Sequence, residues 1–139
     1  MSPAERLISQ LRAARLSWFA IEGTGQRVQI LRPTEVEMIT ERGRTALEAA
    51  TAQVVGWDGF TEADLLGPEL GSDQVADFDP ALWAAYVADR AELTAAVAME
   101  VRRIQADYLQ RRQDQAKNCG PCCTPRRPAS STSARQSLN

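Results

Sequence analysis

Cys119, Cys122 and Cys123 lie within five residues, and the stretch Cys119-Gly120-Pro121-Cys122 has the C-x-x-C spacing used for thiol–disulfide exchange. The same thiols are metal-ligand types, yet three thiolates without histidine leave a zinc ion one ligand short unless two chains share the site. Asp73, Asp77 and Asp79 have the look of a calcium loop. They lack the EF-hand spacing, its central glycine and its closing glutamate, so capping and solvation account for them. The chain has no histidine, which removes the usual neutral-pH base, every Ser-His or Cys-His pair and the commonest zinc ligand. Its one lysine, Lys117, sits at the edge of a tail, where a Schiff-base role is not served. No phosphate-binding glycine loop, dinucleotide fingerprint or nucleophile elbow occurs, and no carboxylate pair stands out for glycoside chemistry.

A reactive C-x-x-C also needs a strand before it and a helix after it, so that the helix dipole lowers the first cysteine's pKa. Here it follows a long helix, and Thr124-Pro125-Arg126-Arg127-Pro128 comes next, with two prolines and no apolar period. A thioredoxin-type oxidoreductase acting through Cys119 and Cys122 is therefore a remote alternative. An exposed thiol cluster is the simpler reading, and no enzyme, cofactor or metal is expected.

The elements before the cysteines read clearly. Ser2-Pro3-Ala4-Glu5 starts a helix over 3–15 whose Leu7, Ile8, Leu11 and Ala14 share a face. "LSWFAIE" and "QRVQILR" flank Gly23-Thr24-Gly25 as a β-hairpin, with its apolar side packed on helices. Thr34 and Glu37 make a second capping box, Gly43 divides the region, and helices are expected near 35–42 and 45–55. "VVGWDGF" reads as a turn in which two glycines bracket Trp57, followed by a helical turn at 61–66 and a Gly- and Asp-rich loop. Asp79-Pro80 opens a helix carrying Leu82, Trp83, Tyr86 and Val87. A last helix runs to about 115, with Leu93, Val97, Val101, Ile104 and Tyr108 on one stripe. The fold class expected is α+β, mostly α: a short N-terminal helix and hairpin, then a small bundle of amphipathic helices. One globular domain is expected over 1–118, with a disordered Pro/Ser/Arg/Cys-rich tail over 119–139.

A chain of 139 residues suffices for one small core, and no apolar run is long enough for a membrane span. The N-terminus mixes charge among its apolar positions, unlike a secretory signal, so an intracellular protein is expected. The net charge of -2 is unevenly laid out. Residues 57–92 hold nine acidic and one basic group, whereas 1–56 hold six acidic and seven basic. An acidic middle argues against nucleic acid, whose phosphates need clustered Lys and Arg. Trp18 and Trp83 read as core residues. Trp57, in its glycine turn, reads mainly as packing, with anchoring of a partner as the sharper alternative.

The run "RPTEVEMI…RG…VVGWDGFTEADLLG…GSD…FDPALWAAYVADR" resembles the tail assembly chaperones of tailed bacteriophages. The likeness covers about 26–118, and its most specific pieces are Val55-Gly56-Trp57-Asp58-Gly59-Phe60 and Phe78-Asp79-Pro80. It implies a non-enzymatic protein that binds the long helical tape-measure protein, with a tail-tube subunit as a second candidate partner. Such a protein would work in the cytoplasm of the infected host and be missing from the mature virion. Several amphipathic helices can offer grooves to a partner helix, while the acidic middle keeps the complex soluble. Candidate partner-binding residues are Trp57, Phe60, Leu65, Leu66, Phe78, Trp83 and Tyr86. The resemblance also implies a programmed frameshift, for which Ala116-Lys117-Asn118 can be encoded by the slippery heptamer A-AAA-AAC. The alternative is a structural head–tail connector or neck protein that stays in the particle. Oligomeric state is left open.

Overall fold

Ser2 accepts the Glu5 backbone N–H while the Glu5 carboxylate accepts the Ser2 N–H, and this reciprocal pair starts helix α1, Pro3–Ala13. The same device recurs at Thr34/Glu37 for α2, Glu35–Thr40, at Thr45/Glu48 for α3, Ala46–Gln53, and at Thr61/Asp64 for α4, Glu62–Leu66. Asp79 caps α5, Pro80–Ala88, by accepting the Ala81 and Leu82 N–H groups. Helix α6 runs over Ala91–Lys117. These elements come from a computed structural model that describes residues 1–118. The cysteines and the tail expected to be disordered lie outside the described residues.

Strands β1 (Leu16–Ala20) and β2 (Arg27–Leu31) form the expected antiparallel hairpin, with Trp18 opposite Gln29 and Phe19 opposite Val28. The stretch read as a glycine turn is instead a third strand, β3 (Val54–Asp58), antiparallel to β2 with Trp57 opposite Val28. Two β-branched valines favour extended backbone. Gly56 lies where the Gln29 side chain crosses, since a Cβ there would stand 3.1 Å from Gln29 Oε1. The sheet order is β1-β2-β3, a meander with a register shift between Gln29 and Ile30. The fold is therefore α+β and mostly helical, as the sequence indicates.

Val28 and Ile30 point from the sheet into a core completed by Ala50, Val54, Phe60, Trp83, Val87, Val97 and Val101. Of the α6 stripe, Val97 and Val101 are buried and Leu93 and Ile104 pack against the core. Gln53 is a buried polar residue with a job: its amide donates to the Leu31 carbonyl at 2.6 Å and its oxygen accepts from Arg44 at 2.9 Å. Trp18 is not core as expected. It lies on the other face of the sheet, 43% exposed, under the Arg27 guanidinium at 4.1 Å. Met1–Gln105 form one compact unit, and a second begins at Ala106 within α6.

Candidate partner-binding surface

The seven residues singled out in the sequence fall into three environments. Phe60 and Trp83 are fully buried, so they hold the core and are closed to a partner in this conformation. Trp57, Leu65, Phe78 and Tyr86 are half-buried against it. Leu66 alone among the seven is well exposed. The aromatics form a nest: Trp57 stacks on Phe60 with centroids 4.5 Å apart, while Phe78 meets Trp57 and Tyr86 meets Phe60 edge-on. Such pairs add specific geometry to simple burial.

That nest fixes the loop after α4. The Trp57 indole N–H donates to the Ala76 carbonyl at 2.8 Å, and the Ala76 N–H donates to the Phe60 carbonyl at 2.9 Å. Further along, Glu62 and Ala63 donate to the Gln74 and Ser72 carbonyls, each at 2.9 Å, and Thr61 bridges Val75. Gly71 comes so close that an added Cβ would collide with the Glu62 carbonyl oxygen. The loop is thereby held to one path, with Leu66, Leu70 and Val75 in water.

Two other apolar faces are exposed, one that the sequence shows as the amphipathic stripe of the first helix and one that sequence reasoning passed over. On α1, Leu7, Ile8 and Leu11 are 54%, 64% and 70% exposed. On α2, Val36 and Ile39 are likewise exposed. The signal in both is ordinary helical periodicity, which marks an apolar face but does not say whether the same chain covers it.

Electrostatics follow the caps. Glu5 and Glu48 are held below the ordinary carboxylate range, first by the backbone N–H of Ser2 and Thr45 and then by those residues' hydroxyls. Asp64 is lowered chiefly by the Thr61 N–H, against a desolvation cost. Asp79 serves as a cap, and Asp73 and Asp77 are exposed. Among the described residues no group of three His, Cys, Asp or Glu side chains is placed to hold a metal ion. None of the described helices is long and apolar enough to cross a membrane. Two clefts open within the compact unit. One, of about 650 Å³, lies between the hairpin end and the α5–α6 junction. The other, of about 290 Å³, lies beside α2 and carries Arg42, Arg44 and Arg102.

No family model matches the chain, and neither a curated protein nor a solved structure matches it.

Proposed function

We propose that this chain is a non-enzymatic tail assembly chaperone of a tailed bacteriophage. It covers amphipathic helices of a tape-measure protein while tail-tube subunits assemble around that partner. The observation that carries the reading is a set of large aliphatic side chains left in water on well-fastened backbone: Val36 and Ile39 on α2, and Leu66, Leu70 and Val75 around the pinned loop. Exposed apolar groups on a fixed frame suit an apolar partner surface, and a helix laid in a groove is the common way to meet one. Glu62, Asp64, Glu69, Asp73 and Asp77 lie on α4 or in the pinned loop after it and would keep a loaded complex apart from its like. On this reading the protein acts in the cytoplasm of the infected bacterium and leaves before the particle matures.

Co-expression with the long helical protein encoded nearby tests the proposal. The chain should raise that partner's soluble fraction, and Val36→Asp with Ile39→Asp should reduce the gain without altering the chain's own melting. Equal partner solubility with and without the chain would rule the reading out. Abundant recovery from purified particles by mass spectrometry would move the protein to the neck or connector instead.

A further inference from the structure

We propose that α1 docks into the acidic cleft of a second copy of this chain. Every residue from Met1 to Ala14 is exposed, and α1 buries none of its eleven residues. A helix this short is marginal in water without tertiary packing, even with a good cap. Its aliphatic face of Leu7, Ile8 and Leu11 has no cover among the described residues. Arg12 borders that face beside Ile8, and Arg6 adds further positive charge. Glu5, the one acid within α1, is engaged by the Ser2 N–H at 2.8 Å.

The cleft has the opposite character. Its floor is made by half-buried Ile21, Tyr86, Leu93 and Ala96, and its rim carries Glu22, Asp89 and Glu92. The one basic group there, Arg90, lies over the Tyr86 ring at 4.2 Å and 4.0 Å from Asp89. Three acids against one base leave the rim net negative, which complements the basic helix. An apolar floor within a negative rim fits an aliphatic face with an arginine at its border.

The geometry directs this docking to another molecule. Helix α1 joins β1 at its Leu16 end, whereas the cleft lies beyond Ala20, at the turn of the hairpin. Five strand residues separate the two ends by roughly 17 Å. The joint is fastened: Arg15 Nη1 donates to the Arg32 carbonyl and the Arg32 N–H donates to the Arg15 carbonyl, each at 2.8 Å. Helix and cleft are different surfaces of one chain, so the contact joins α1 of one copy to the cleft of another, by reciprocal exchange in a two-fold dimer or along an open chain.

Sedimentation velocity across concentration and salt tests this directly with the full chain. The wild type should associate at low salt and loosen as salt rises. Ile8→Asp/Leu11→Asp, which spoils the helix face, and Glu22→Arg/Glu92→Arg, which reverses the rim, should each weaken self-association by at least about tenfold. Both variants alter exposed positions, and circular dichroism melts verify that each is folded. Mixed together, the two should form a one-to-one complex, because each retains the surface the other lacks. A wild type that stays monomeric at every concentration and salt overturns the proposal, as does association only when a tape-measure fragment is added. A mixture that fails to pair also overturns it. So does a monomer in which Ile8→Asp/Leu11→Asp raises hydrogen exchange around Leu93, since the helix would then occupy its own cleft.

Discussion

The Trp83 indole N–H donates to the Ala50 carbonyl at 3.0 Å, joining residues 33 apart in sequence. Ala50 lies in the last turn of α3, where carbonyls lack an intrahelical partner, so one buried side chain closes that helix and packs α5 against it. Trp83→Phe keeps most of the packing and removes the donor, and should cost about 1–3 kcal/mol. Trp83→Ala removes both, with an expected loss of about 3–5 kcal/mol. Urea unfolding of the two variants measures the difference.

Two glycines of similar backbone make a paired test. Gly43 and Gly59 both have positive φ, at 90° and 85°. A Cβ on Gly43 would meet open space, whereas one on Gly59 would stand 2.6 Å from the Gly25 carbonyl oxygen. Gly43→Ala should cost about 1–2 kcal/mol from backbone strain alone. Gly59→Ala should lose about 1–3 kcal/mol more, because the hairpin turn must move. Equal melting temperatures for the two would contradict this account.

Gln53 ties α3 to β2 through Leu31 and to Arg44. Gln53→Leu fits the space but leaves the Leu31 carbonyl without that donor. The expected loss is about 1–3 kcal/mol, and amide exchange near Leu31 should quicken.

The capping carboxylates set a direction for acid stability. Glu5, Glu48 and Asp64 bind protons less readily in the folded chain than in the unfolded one. Their contribution is present above the unfolded pKa and is lost as pH falls through the lower folded value. Melting temperature should therefore fall as pH drops from about 5 to about 3. A Glu5→Gln/Glu48→Gln/Asp64→Asn variant should show a shallower fall, with part of the loss already present at neutral pH.

Helix starts were legible because capping is local: Ser2 with Glu5 and Thr34 with Glu37 announce themselves within four residues. The α6 stripe was equally plain. The third strand was hidden because two glycines suggested a turn, and only the pairing of Trp57 with Val28 shows that extended backbone is wanted there. Trp18 was misplaced for a related reason. A strand alternates its faces by period, but which face meets the helices depends on partners far along the chain. The candidate surface divided on the same principle: Phe60 and Leu66 look alike in sequence as apolar groups, and tertiary packing alone sends one inward and the other outward.

The meander order of the sheet bears on the timing of folding. Neighbouring strands are consecutive in the chain, and the buried apolar side chains described run from Val28 to Val101. The β1–β2 hairpin is short-range pairing, which favours rapid folding, whereas β2 reaches β3 only across α2 and α3. The compact unit is complete in sequence at Gln105. A nascent chain thus holds all that this core requires once Gln105 has left the ribosome.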